Sequence, residues 1–406
     1  MKLANTHISY CTNIHPGQDW HAHFEELKRH VPQIKAAVSP DAPFGLGLRL
    51  SAEAAADLQR PEVLLEFQHW LQEQHCYVFT MNGFPFGDFH EKRVKDMVHF
   101  PDWTSKRRKD YTLNLFDILA NLIPEGAEAG ISTSPLSYRF WFDEGTTEWQ
   151  DMRHACTQQL IEVAAFLQQK EGQTGKYMHL DIEPEPDGVL ENLDEFLHWY
   201  QQELLPQAYS FFGEKGIGEA ETQNIIKRYI CLCYDVCHFA LAYADHPQAM
   251  QALEQAGIKI GKFQISSALK VSLTDDPIDR SNKEKLLEEF DEPIYLHQVI
   301  ARNKANQLIK YRDLMDALPD IANPDHVEWR SHFHVPIFLA EYGEISSTQD
   351  DILAVLALHK AQPRTAHVEV ETYTWGVLPK ALQIPIQESI ARELNWLINE
   401  LNKKHE

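Results

Sequence analysis

The chain reads as an α/β protein whose eight parallel strands close into one barrel, a (β/α)8 or TIM barrel, with a long insertion between strands 7 and 8. Three observations predict this. Short strand-like runs alternate eight times with longer amphipathic segments, the order produced by repeated βα units around a parallel sheet. A chain of 406 residues suits a barrel enlarged by insertions, so one domain over residues 1–406 is expected. The rival, an open doubly wound sheet, lacks its dinucleotide fingerprint: "GLGLRL" at 45–50 lies inside a strand rather than in a strand-to-helix turn, and no P-loop is present.

The strands are expected, in order, within "HISYCTN" (7–13), "FGLGLRL" (44–50), "CYVFTMNG" (76–83), "EAGISTS" (128–134), "YMHLDIEPEP" (177–186), "YICLCYDVCH" (229–238), "IKIGKFQISS" (258–267) and "HVEVETYTW" (367–375). Between them, "RHACTQQLIEVAAFLQQKEG" (153–172) and "LENLDEFLHWYQQELLPQAY" (190–209) carry apolar residues at helical spacing. Two segments depart from a minimal barrel. Residues 84–103, rich in Phe, Pro and Gly, are too apolar for a plain solvent loop and too broken for a helix. The insertion, about 267–366, holds a helical-looking "LHQVIARNKANQLIKYRDLMDAL" (296–318) and a strand-like "HFHVPIFLAEYG" (332–343). Both segments are expected to cover the carboxyl-end mouth.

A formal net charge of −23 repels phosphate backbones and anionic lipid faces, which argues against nucleic acid as partner and against a membrane surface. The one dense cationic run, "KRRKD" at 106–110, reads as a solvated helix start. No stretch of about 18 apolar residues and no secretory leader pattern occurs, so no membrane insertion and a cytoplasmic location are expected. Cys231, Cys233 and Cys237 sit in or beside one apolar run, the setting of small buried hydrophobes more than of a zinc site on sulfur.

Alternate residues of a barrel strand point inward, and active sites form at the carboxyl ends. Period two therefore picks out Asn13, Arg49, Asn82, Ser134, Glu183, Asp235, Gln264 and Glu371 as the last inward polar residues. Three acids sharing a barrel mouth resist ionisation unless a positive charge joins them. A divalent metal ion meets that need, with Glu183, Asp235, Gln264 and Glu371 as ligands and Mg²⁺, Mn²⁺, Zn²⁺ or Co²⁺ as the cofactor. Glu369, one layer deeper, needs a buried partner such as His179 or Lys262. The plainer reading of "YDVCH" (234–238) makes Asp235 an N-cap and His238 a helix-dipole residue.

Glu in "LDIEPEP", Asp and His in "YDVCH" and Glu in "VEVETYTW" resemble the metal-binding strand ends of the xylose isomerase-like TIM barrels. The longer strings "YCTNIHPG", "NGFPFGDFH", "HFHVPIF" and "HVEVETYTWGVLP" resemble those of the EboE family of metabolite traffic proteins. The resemblance implies that Glu183, Asp235 and Glu371 bind metal, with His238 completing an Asp-x-x-His step. It departs on strand seven, where Gln264 stands in place of the usual His ligand; His332 or His334 from the insertion is the candidate replacement. The family further implies handling of a secondary-metabolite precursor.

Two functions are expected from these residues. In the first, a metal-dependent isomerase or epimerase acts on a small polyol, sugar or metabolite precursor; Glu183 or Glu371 moves the proton, and Asn13, Arg49, Asn82, His332 and His334 contact the substrate. In the second, the same mouth binds and hands over the precursor without turnover. A third idea, a Schiff-base aldolase on Lys262, competes with the use of that lysine to neutralise buried acids.

Overall fold

A computed structural model describes residues 1–3, 5–87, 95–290, 294–375, 378 and 383–403. Eight parallel strands are present: Thr6–Tyr10, Phe44–Arg49, Cys76–Asn82, Ala129–Thr133, Met178–Ile182, Ile230–Asp235, Ile260–Ile265 and His367–Val370, referred to below as the first to eighth strands. Each pairs in parallel with its sequence neighbour from the second strand to the seventh, and the eighth lies between the seventh and the first. The ring closes between the first and second strands through a parallel bridge from Cys11 to Gly47 and a bond from Arg49 N to Thr12 Oγ1 (2.9 Å). The fold is the (β/α)8 barrel that the alternation predicts.

Period two explains the closure. Leu46 and Leu48 are fully buried against the outer helices, while Gly45 and Gly47 face the interior. A Cβ at Gly47 would fall 1.6 Å from Glu369 Oε2, and one at Gly261 would fall 1.9 Å from Asp181 Oδ1. Those two glycines make room for acidic side chains that reach across the barrel. Helices start on side-chain caps where the strand ends hand over the chain: Ser51 accepts from Ala54 N, Asn192 from Glu195 N and Asp235 from His238 N.

The insertion forms a sheet of its own. Six antiparallel strands run in the order Leu308–Tyr311, Val299–Asn303, His326–Ser331, Leu269–Ser272, Ile345–Ser347 and Glu341–Tyr342. Val299, Trp329 and Val271 belong to the same buried apolar cluster as the barrel strands. After it, Gln349–Ala361 is helical and leads to the eighth strand.

Two sequence expectations are corrected here. Residues 296–318 form a hairpin and one short helix, Leu314–Ala317, instead of a long helix. Asn306 takes a left-handed conformation and Asn303 Oδ1 accepts from Ala305 N and Gln307 N, so local side-chain bonds turn the chain where the periodicity suggested continuation. The stretch 332–343 is mostly irregular. Its donors go to scattered partners, His332 N to Gln298 O (2.8 Å), Val335 N to Ser267 O (2.9 Å) and Ile337 N to Glu393 Oε1 (3.1 Å), and Pro336 has no donor to give.

"KRRKD" does begin a helix, Lys106–Leu122, with Lys106 and Arg107 outward. Arg108, however, is fully buried and donates to Pro101 O (2.7 Å), Gly83 O (2.9 Å) and Phe84 O (2.7 Å). It pins the segment after the third strand, of which residues 88–94 lie outside the described residues. Among the described residues no helix is long and apolar enough to cross a membrane.

Replacing Arg108 by Met strands three buried carbonyl groups without donors, each a desolvation cost of about 1–3 kcal/mol. Arg108→Met is therefore expected to lower unfolding free energy by at least about 3 kcal/mol in urea denaturation. A loss within about 0.5 kcal/mol of zero, the range of ordinary surface substitutions, would show that the guanidinium does not hold this segment.

Candidate metal centre

The acids at the strand ends meet around one side chain. Gln264 Nε2 donates to Glu183 Oε1 (2.9 Å), Asp235 Oδ2 (3.1 Å) and Glu371 Oε2, while Gln264 Oε1 accepts from Cys233 Sγ (3.2 Å). One oxygen from each of the three carboxylates lies within 4.8 Å of the other two. All four side chains are buried. Strand register brings them to one level: Gln264 is level with Asp235 on one side and with Glu369 on the other, and Glu371 follows two residues later.

Each acid is held differently. Asp235 accepts Ser266 Oγ (2.6 Å) and His238 N (3.1 Å), so the N-cap reading is correct and the residue also joins the acidic cluster. Burial pushes its carboxyl up, but His238, His334 and these donors outweigh that and keep it below the usual range. Glu371 Oε1 accepts from Asn13 Nδ2 (2.7 Å) and Asn82 Nδ2 (2.8 Å). Burial, then the charges of Glu183 and Asp235, holds Glu371 well above the ordinary carboxylate range. Glu183 is raised in the same way, by burial and then by Asp235, and its Oε2 has no hydrogen-bond partner.

The insertion supplies imidazoles. His334 Nδ1 bonds to Glu371 O (2.9 Å), a carbonyl that only accepts, so Nδ1 carries the proton and Nε2 is bare, buried and unpartnered. Burial holds His334 at about 4, hence neutral. One nitrogen of His334, one of His238 and an oxygen of Asp235 lie within 4.8 Å of one another. His238 Nδ1 is 3.9 Å from Glu183 and Asp235 but bonds at 3.0 Å to Pro184 O. His332 packs edge-on to His238 with its Nδ1 on Gln298 Oε1 (2.8 Å) and its Nε2 unpartnered.

These residues fit a divalent cation. Three carboxylates and an unpartnered Glu183 oxygen converge beside His334, whose Nε2 is unpartnered, and the donors that reach the acids among the described residues, from Gln264, Asn13, Asn82, Ser266 and the His238 main chain, are all neutral. Turning the Gln264 amide over presents Oε1 to the acids and Nε2 to Cys233, the orientation a cation requires.

A cavity of about 80 Å³ lies above this floor, lined by Asn13, Asn82, Glu183, Glu371, His332 and His334 among others. Walls from both extra segments reach it, Phe84 and His99 from one and Tyr295 and Gln298 from the other. Arg49 is not among the lining residues; it stands at the end of the second strand, and its guanidinium donates to Gly87 O. Gln264 and Asp235 lie beneath the floor. Lys262 is deeper still, donating to Glu369 Oε1 (2.9 Å) and Ser132 Oγ (3.0 Å). Burial would lower its ammonium, but Glu369 outweighs burial and holds it above its ordinary value, the opposite of an activated amine.

Sequence reasoning missed Glu185 and His99, whose Oε1 and Nε2 lie 2.8 Å apart on the cavity wall. Burial raises Glu185 to about 8 and lowers His99 to about 3, so the pair is neutral. Glu185 stands two residues beyond Glu183 in the same string; nothing local marks His99. Glu393 was missed too. It takes Ile337 N and Thr372 Oγ1 (2.7 Å), tying the His334 loop to the end of the eighth strand.

No protein-family profile and no curated protein matches the chain. Solved structures of similar fold include the IolI protein with a bound zinc atom, 12% identical, covering 98% of this chain and 98% of that one at a TM-score of 0.47. Others are the probable 3-DHS dehydratase AsbF of Bacillus anthracis, 12% identical over 97% and 99% (TM-score 0.46), and a D-psicose 3-epimerase with D-fructose, 8% identical over 98% and 100% (0.46).

Lys262→Met leaves Glu369 as an uncompensated buried charge and is expected to cost about 3–5 kcal/mol of stability. Adding Glu369→Leu should recover at least half of it; a double variant no more stable than the single one in urea titration would contradict an ion-pair role. Burial raises Glu393 to about 8 from an ordinary 4.5. The folded chain then keeps a proton that the unfolded chain releases, so stability is full below about pH 4.5 and declines as pH rises to about 8. Glu393→Gln is expected to flatten that decline; an unchanged slope of melting temperature against pH would contradict the assignment.

Proposed function

We propose that this chain is a divalent-metal-dependent enzyme that moves a proton between neighbouring carbons of a small polyol- or sugar-like molecule, an isomerase or epimerase. The observation that carries the reading is the meeting of three buried carboxylates from three strands with an unpartnered Glu183 oxygen and an unpartnered His334 nitrogen. Glu183, Asp235, Glu371 and His334 would hold the ion, with Gln264 joining through its oxygen and His238 beside them. Carboxylates alone suit Mg²⁺ or Mn²⁺; an imidazole in the set shifts the preference toward Zn²⁺ or Co²⁺. A bound divalent ion supplies polarisation of a substrate carbonyl and its neighbouring hydroxyl.

The chain's own residues divide the remaining work. Asp235, kept ionised by its donors, stays a fixed negative group. Glu183 and Glu371, both held above the ordinary carboxylate range by burial and by the neighbouring acids, are the groups that would pass a proton to and from the substrate. Asn13 and Asn82 steady Glu371 and present amides to substrate hydroxyls. His332, with its bare nitrogen on the cavity wall, accepts a hydroxyl hydrogen. The EboE-type strings support a wider setting in which the molecule handled is a secondary-metabolite precursor.

One observation favours binding and handover without turnover: the Gln264 amide already lies within hydrogen-bond distance of all three acids without an ion. Calorimetry separates the readings first. Asp235→Ala should weaken divalent-ion binding, and Gln264→His should tighten Zn²⁺ or Co²⁺ more than Mg²⁺; no effect of either would sink the metal centre. Incubation of the metal-loaded protein with ketohexoses and cyclic polyols in deuterated water comes second. Deuterium should enter a substrate carbon, and Glu371→Gln should lower that exchange by at least about 100-fold, the scale of general acid–base contributions. Metal binding without exchange would leave the handover reading.

A further inference from the structure

The barrel interior holds a second polar cluster at its opposite pole. His179 is the second residue of the fifth strand, His367 the first of the eighth, and Glu128 directly precedes the fourth. Both imidazoles are fully buried, and one ligand atom from each of the three residues lies within 4.8 Å of the other two. The cluster is remote from the mouth because it sits at the amino ends of the strands, with the Lys262–Glu369 layer between.

The hydrogen bonds decide what the two rings can offer. His179 Nδ1 bonds to Asp181 Oδ1 at 2.5 Å, and His367 Nε2 bonds to the Glu128 carbonyl at 3.2 Å. Carboxylate and carbonyl oxygens accept, so those nitrogens carry the protons. His179 Nε2 and His367 Nδ1 are therefore bare, and neither has a hydrogen-bond partner. A buried lone pair without a donor is costly unless a proton or a cation takes it. Burial, followed by the neighbouring His179, holds His367 well below its ordinary range, which disfavours the proton.

A ring whose outer N–H is fixed by a carboxylate or a carbonyl is the arrangement that orients a metal-binding histidine. Glu128 adds the negative charge. It is half-buried, it shares Oε2 with Lys259 Nζ (2.9 Å), and it opens the cluster to solvent at the amino face.

We propose that His179, His367 and Glu128 form a metal site at the amino-terminal pole of the barrel, taking an ion of the zinc class, Zn²⁺ or Co²⁺. Two imidazoles and one carboxylate are the donor set such ions prefer, with a solvent-facing fourth position. Bonds of about 2.0–2.2 Å put tetrahedral ligand atoms roughly 3.4 Å apart, a separation that side chains already within 4.8 Å reach by small movements. Lys259 gives up its hold on Glu128 or shares it.

The test uses the full chain stripped of metal, in four forms: unaltered, Asp235→Ala, Asp235→Ala with His367→Gln, and Asp235→Ala with Glu128→Gln. Asp235→Ala weakens the mouth, and the added substitutions lie at the other pole, so the change they cause is independent of the function proposed above. Calorimetric and visible-absorption titration with Co²⁺ should show one equivalent bound to Asp235→Ala, and both added substitutions should weaken it by about 100-fold or more. Glu128 is half-buried, so its variant keeps the test open if His367→Gln does not fold, which circular dichroism reports. Absence of tight Co²⁺ binding in Asp235→Ala, or unchanged affinity in a folded double variant, would overturn the proposal.

Discussion

The desolvation of acids inside the barrel is the constraint on which the remaining structure depends. Asp181, Glu183, Asp235, Glu369 and Glu371 are all buried in it, and a carboxylate removed from water needs a donor or a cation at hydrogen-bond distance. Lys262 supplies that to Glu369, His179 to Asp181 and Gln264 to the three acids above. Removing side-chain bulk is part of the same solution, because Gly47 and Gly261 leave the space that Glu369 and Asp181 occupy. The interior is thus a stack of polar layers.

Positioning of the mouth follows from bonds made far from it. Arg108 ties the segment after the third strand to its helix through three carbonyls, and Glu393 ties the His334 loop to the eighth strand. Through the latter, His334 reaches the main chain of Glu371 with Nδ1, keeps Nε2 unpartnered and brings one ring nitrogen within 4.8 Å of an Asp235 oxygen. The insertion thus places an imidazole beside the acids, and the seventh strand places the Gln264 amide there.

Both poles of the barrel obey one electrostatic rule. Burial keeps His334 and His367 neutral, and a carbonyl on one ring nitrogen leaves the other bare. Near the mouth the His334 ring lines the same cavity as Glu183 and Glu371, carboxylates that burial and neighbouring acids push toward protonation. At the amino pole two imidazoles, each with a bare nitrogen, cluster with one half-buried glutamate.

Much of this was legible in the sequence, because a strand buried between helices and a packed barrel core has a strict period of two. Alternation of strand-like runs with amphipathic segments assigned the eight strands, and the period put Asn13, Asn82, Glu183, Asp235, Gln264 and Glu371 inward at their carboxyl ends. The tertiary structure decided what period two cannot carry. Arg49 turned to a loop carbonyl, Arg108 left a cationic run for the core, and residues 296–318 became a hairpin because Asn303 and Asn306 bond locally. Likewise His99 and Glu185, or His179 and His367, lie far apart along the chain and meet only because the barrel closes; local sequence encodes which face a residue takes, whereas its partner depends on the closure of the whole ring.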